Sequence, residues 1–133
     1  MRKQYDLKRR IYLKLADNYL WDGANIEKAL QYASFAHELG PVTDEEANRV
    51  MGHAYLKQGK PKEAGAHLEQ SGGSGLETSY LKGLLEFRNG AVEKASQIWK
   101  PLLTVKSVTL KEHHIKQELL KYYFEAEPYL KVN

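Results

Sequence analysis

The stretch Gly52-His53-Ala54-Tyr55-Leu56-Lys57-Gln58-Gly59-Lys60-Pro61-Lys62-Glu63-Ala64 lies in register with Gly83-Leu84-Leu85-Glu86-Phe87-Arg88-Asn89-Gly90-Ala91-Val92-Glu93-Lys94-Ala95. Gly52 falls on Gly83, Gly59 on Gly90 and Ala64 on Ala95, each pair 31 positions apart. The placing of these small residues has a physical meaning. A small residue in mid-helix lets a second helix lie close against the first. Glycine before the second helix permits a tight turn, and a small residue early in the second helix receives the first. A looser copy runs earlier, from Ala16 through Tyr19-Leu20-Trp21-Asp22-Gly23 to Ala29, Ala36 and Pro41. Its turn is one residue longer, since Gly23 to Ala29 is six positions and Gly59 to Ala64 is five. Helical pairs of this kind cannot bury their apolar faces alone, so they stack.

Working outward, the remaining apolar residues keep a helical period. Tyr12, Leu15, Ala16, Tyr19 and Leu20 form one face. Val50, Met51, Ala54 and Tyr55 form a second, and Leu81, Leu84, Leu85, Ile98, Trp99 and Leu102 continue the pattern. Apolar positions three and four apart mark helices, and no segment alternates with the period of two that a strand needs. Thr43 with Glu46, and Thr109 with Glu112, have the spacing of a capping box at a helix start. Gly40-Pro41 reads as a stop. The cluster around Thr104-Val105 and Val108-Thr109 reads as a junction between helices. Ser71-Gly72-Gly73-Ser74-Gly75 is a connection between helices, too short to link separate domains. Gly52, Ala64, Gly83 and Ala95 are expected where two helices approach closely.

This register resembles the tetratricopeptide repeat, a helix–turn–helix unit of about 34 residues. The likeness covers roughly residues 9 to 107. Trp99 stands where that family often has an aromatic, whereas Pro61 stands where it usually has one. The resemblance implies an all-α, right-handed α-solenoid of about three repeats with a C-terminal capping helix. We expect one domain over 1–133, with repeats at about 9–42, 43–75 and 76–107 and a terminal helix at about 109–125.

In that family the first helix of each unit lines a concave groove. Carried over by position, the resemblance places Arg10, Leu13, Asp17, Leu20 and Trp21 there from the first unit. The second unit gives Glu46, Arg49, His53, Leu56 and Lys57, and the third Glu77, Tyr80, Leu84, Phe87 and Arg88. The expected partner site is therefore Leu13, Asp17, Trp21, Arg49, His53, Tyr80, Leu84 and Phe87, with aromatics and arginine as anchors. A clamp for the acidic C-terminus of heat-shock chaperones is not expected, because Leu13, Asp17, Val50, Glu77 and Leu81 replace its lysines, asparagines and arginine. Tyr122, Tyr123 and Tyr129 in the tail are more aromatic than a cap requires. They form a possible second interface, or else pack on the last repeat.

Composition narrows the function further. The 133 residues carry 20 basic and 17 acidic side chains, an excess of three with no concentrated basic stripe, so nucleic acid is not an expected partner. With no cysteine there are no disulfides, thiolate zinc sites or cysteine nucleophiles. Of the five histidines, His113 and His114 are adjacent and diverge on a helix, while His37, His53 and His67 lack a chelating spacing. No metal, cofactor or catalytic residue is expected, and no phosphate loop or nucleophile elbow occurs. Met1-Arg2-Lys3 has the charge of a signal-peptide start, but Tyr5 to Arg10 lacks its apolar stretch. No run approaches the ~20 apolar residues that cross a bilayer. The expected function is an adaptor or assembly scaffold binding a partner protein or peptide, in the cytoplasm, or in the periplasm if the chain belongs to a longer exported or anchored protein. The alternative is a chaperone-like holder of a secreted or unassembled client.

Overall fold

A computed structural model describes the backbone of residues 2–23, 25–39, 45–72 and 75–131, and the side chains of 7–22, 25–39, 45–72 and 75–125. Among the described residues there are seven α-helices and no strand. In chain order they are α1 (Arg2–Asn18), α2 (Ile26–Leu39), α3 (Glu45–Lys57), α4 (Pro61–Ser71), α5 (Leu76–Arg88), α6 (Val92–Trp99) and α7 (Leu110–Lys131). A π-helical turn, Tyr19–Gly23, ends α1, and a 3₁₀ turn, Lys100–Thr104, follows α6. No described helix is long and apolar enough to cross a membrane. The chain divides into two compact units, Met1–Gly72 and Gly73–Asn133, and the division falls in the glycine-serine connection. Gly40-Pro41 and the Thr43 cap lie outside the described residues.

In the first unit α1, α2 and α3 pack on one another, and α4 packs on α3. The core gathers Leu13, Ala16 and Leu20, then Ala29, Ala33 and Ala36 of α2, then Ala47, Val50, Met51 and Ala54 of α3. Every fully buried residue of α2 is alanine. On its flank, Tyr32 stacks on Tyr12 and Tyr19, with ring centroids 5.9 Å apart in each case. Asn25 caps α2, its Oδ1 accepting from the Lys28 amide at 3.1 Å.

The repeated register is visible atom by atom. After α3, the Gly59 amide donates to the Leu56 carbonyl at 3.1 Å and the Lys60 amide to the Tyr55 carbonyl at 2.9 Å. After α5, Gly90 donates to Phe87 at 3.1 Å and Ala91 to Glu86 at 2.8 Å. This is one Schellman turn made twice, and it needs a left-handed residue at its centre. Gly59 has φ 76° and Gly90 φ 85°, a region that side-chain-bearing residues rarely enter. Pro61 then takes the first position of α4, where a missing amide hydrogen costs nothing.

The mid-helix glycines are contact points. A Cβ on Gly52 would lie 2.7 Å from Cγ of Leu68, and a Cβ on Gly83 would fall inside the indole of Trp99. Ala64 and Ala95 are fully buried on the opposing helices. Leu68 and Trp99 are themselves equivalent positions, so each pair sets a large side chain of its second helix on bare backbone of its first. Trp99 is wholly buried and donates from Nε1 to the Tyr80 carbonyl at 3.0 Å.

In the second unit α7 packs on α5 and α6. Thr109 and Glu112 form the expected capping box: the Glu112 amide donates to Thr109 Oγ1 at 3.1 Å, and Glu112 Oε1 accepts from the Thr109 amide at 3.0 Å. The Val108 amide donates to the same carboxylate oxygen at 3.1 Å. Lys116 Nζ donates to the carbonyls of Leu103 and Val105 at 2.9 and 2.6 Å, holding the end of the 3₁₀ turn. The expected end of the terminal helix at 125 is corrected, since helical backbone continues through Pro128 to Lys131. Proline removes an amide donor and its ring crowds the carbonyl four residues back, a disfavoured arrangement that the last turn of α7 nonetheless adopts.

Two outcomes follow from this packing. Gly83→Ala forces a methyl into a buried, hydrogen-bonded indole and should cost on the order of 1–3 kcal/mol. Gly52→Ala sets a methyl 2.7 Å from Cγ of the buried Leu68, which must shift, but alanine regains about 1 kcal/mol of helix propensity, so its net cost should be smaller than that of Gly83→Ala. Urea melts of both variants check this, and a Gly83→Ala protein as stable as the parent contradicts it. At the α7 cap, the backbone amides of Thr109 and Val108 and the Thr109 hydroxyl hold the Glu112 carboxyl below its ordinary range. A depressed carboxylate contributes stability above its unfolded pKa and loses it as pH falls through the folded value. NMR titration of Glu112 should give a midpoint below the ordinary carboxylate value, returning towards it in Thr109→Ala.

Candidate functional site

The first unit brings part of the expected groove together. The π-helical turn carries Trp21 across to α3, where its ring lies on the His53 imidazole with centroids 4.6 Å apart and planes at 54°. His53 beneath is buried, while Trp21 keeps part of its surface in solvent. Asp17 precedes Trp21 by four residues and Arg49 precedes His53 by four, about one helical turn in each case. Asp17 and Arg49 are both half-buried. Arg49 Nη2 lies 4.0 Å from Glu46 Oε1 one turn earlier, a surface pair that contributes little to stability. Leu13 does not belong to this face, being 1% exposed within the α1–α2–α3 core.

The second unit departs from the expectation. Tyr80 and Leu84 are buried, so neither presents a side chain to a groove. The Tyr80 hydroxyl donates to Glu118 Oε2 of α7 at 2.8 Å. Glu77 pairs with Lys111 of α7 at 3.1 Å. Phe87 lies between Trp99 and Tyr122, with centroids at 5.8 and 5.5 Å. Arg88 donates from Nη2 to the Tyr122 hydroxyl at 3.1 Å, with its guanidinium carbon 5.5 Å from that ring centroid. The face of α5 expected to be open is thus the seat of α7. The physical reason is that the residues expected in a groove share one flank of α5, and α7 packs on that flank. Burial, followed by the charge of Glu118, pushes the Tyr80 phenol far up, so it remains a hydrogen-bond donor.

In the tail, Tyr122 is therefore a packing residue. Tyr123 is half-buried and meets the exposed Phe124 edge-on at 6.1 Å. The Tyr129 side chain lies outside the described residues.

One polar cluster was not singled out in advance. Asn48 is buried in α3, and its Oδ1 lies 2.8 Å from Nδ1 of His67 on α4. The Tyr55 ring stacks on His67 at 5.5 Å and 15°. An asparagine on the apolar stripe of a helix, 19 residues before a histidine, was the signal available. Burial first, and then the neighbouring His37, push the His67 imidazole below its ordinary value. Among the described residues no three histidine, aspartate or glutamate side chains gather closely enough to share a metal ion.

No family model, curated protein or solved structure matches this chain.

The His67 environment gives a pH dependence with a definite sign. A histidine whose folded pKa is lowered binds fewer protons folded than unfolded, so its stabilising contribution is complete above the unfolded value of 6.5 and is lost as pH falls below it. The first unit should melt earlier at about pH 5.5 than at about pH 7.5, and His67→Gln should flatten that difference. Thermal melts of the two proteins across this range check the expectation.

Proposed function

We propose that the three helix pairs are tetratricopeptide-type repeats of an α-solenoid, capped by α7, and that the chain binds a segment of another protein without catalysing a reaction. The repeated Schellman turn and the repeated contact of glycine with a large side chain support the repeat reading. They recur at the same 31-residue interval, although one contact uses leucine and the other tryptophan.

The binding face we assign is the side shared by α1 and α3, and the observation that carries it is Trp21 lying half-exposed over buried His53. A ring seated on a rigid base offers a large contact area at little entropic cost, and tryptophan and arginine dominate interface energetics. Arg49 beside it suits a carboxylate in the partner, and Asp17 a basic or hydrogen-bond-donating group. The fitting ligand is a short segment with one apolar or aromatic anchor and an acidic residue nearby.

Selection of peptide ligands from a displayed random library, followed by calorimetric titration, tests this assignment. Trp21→Ala should weaken the selected peptides by on the order of tenfold or more, and Arg49→Glu should weaken them and alter their salt dependence. Phe87→Ala should leave binding intact while lowering the stability of the second unit, because its ring is committed to Trp99 and Tyr122. Binding unaffected by Trp21→Ala would remove the site from this face.

A further inference from the structure

Apart from the Trp21 face, the outer side of α1 carries a surface that the described residues leave exposed. Leu7 and Ile11 are 55% and 49% exposed, and Lys14 follows on the same stripe at the next turn. By helical period this stripe lies opposite Leu13 and Ala16, which face the core. A single exposed leucine is ordinary, but two large aliphatic side chains one turn apart on an outward stripe offer an apolar ridge.

The charge around the patch identifies what fits it. Between residues 7 and 18 of α1 the exposed charged side chains are Lys8, Arg10 and Lys14, with no exposed acid among them. The chain as a whole is nearly balanced, at 20 basic to 17 acidic residues, so this is a local concentration. Helices are also the fold's own means of covering such flanks: α3 covers one side of α1, and α7 lies along α5. Leu7 and Ile11, four residues apart, offer the ridge on which another helix seats its own residues at three- and four-residue spacing.

We propose that this outer face of α1, centred on Leu7 and Ile11 and bordered by Arg10 and Lys14, docks an acidic amphipathic helix of a partner protein. It is a second interaction surface, independent of Trp21. An apolar stripe on the partner covers the two aliphatic residues, and its flanking carboxylates meet the cations. Charge at the border sets association rate and salt dependence, while the apolar centre supplies the affinity.

The test uses a fluorescent synthetic helix-forming peptide with leucines at four-residue spacing along one face and glutamates beside them, and a twin in which lysines replace the glutamates. The glutamate peptide should bind, more weakly as salt rises, and the lysine twin should bind on the order of tenfold or more weaker. Ile11→Ser and Lys14→Glu should each reduce binding of the glutamate peptide by on the order of tenfold, and Trp21→Ala should leave it unchanged. Lys14 is an exposed polar position, so Lys14→Glu carries the test even if Ile11→Ser disturbs folding. Absence of glutamate-peptide binding, equal binding of both peptides, or binding indifferent to Lys14→Glu overturns the proposal. So does flotation with phosphatidylserine vesicles that Ile11→Ser abolishes and the glutamate peptide does not inhibit, which would assign the face to a lipid surface. Self-association in analytical ultracentrifugation, abolished by Ile11→Ser and indifferent to the peptide, would assign it to a second copy.

Discussion

Bare backbone against a large side chain is the constraint on which the helix pairs depend. Leu68 rests on Gly52 and Trp99 on Gly83, at points where a single added carbon has no room. These contacts set how closely the two helices of a pair approach, and the helix spacing decides which neighbouring residues reach each other. The Schellman turns at Gly59 and Gly90 then fix the direction in which each second helix departs. Turn and contact reinforce each other, because the turn delivers the second helix to the place where the first has no side chain. Local backbone chemistry and side-chain packing thus specify the same geometry, as a foldable sequence requires.

The two units elaborate this constraint differently. The first surrounds α2 with small contacts and reserves its aromatic rings for the flank, where Tyr12, Tyr19, Tyr32 and Phe35 meet one another. The second puts its largest side chain at the centre. Trp99 satisfies its indole nitrogen on the Tyr80 carbonyl, and Phe87 and Tyr122 lie around its ring. The Tyr80 hydroxyl must then find an acceptor within the packed region, since an unmet buried hydroxyl costs about 1–3 kcal/mol. Glu118 supplies it from α7. The terminal helix is consequently held by directed polar bonds, to Tyr80, Glu77 and Arg88, as well as by Ile115 and Leu119.

What was legible in the sequence follows from this physics. Gly59 and Gly90 announced their turns because few other residues adopt that backbone, and Thr109 with Glu112 announced a helix start because the capping bonds are local. All seven helices, and the close approach at Gly52 and Gly83, were readable on such grounds. Which flank of a first helix faces solvent was not. Trp21 and Tyr80 are both aromatic residues on first helices, yet one lies half-exposed across His53 and the other is sealed beneath Glu118. Trp99 of α6 and Glu118 of α7 both close over Tyr80, and those are long-range contacts with no local signature. The Asn48–His67 contact is equally non-local.

The all-alanine buried face of α2 has an evolutionary consequence. A helix that presents only methyl groups to its neighbours has almost nothing left to lose by truncation, so drift towards smaller residues there is nearly closed. Drift towards larger ones meets overpacking instead, because every added methylene at Ala29, Ala33 or Ala36 presses on α1 and α3. Those helices carry Trp21 and His53, whose rings meet across the gap. Added volume in a helix that contributes no residue to that ring contact would therefore bear on the two elements that make it.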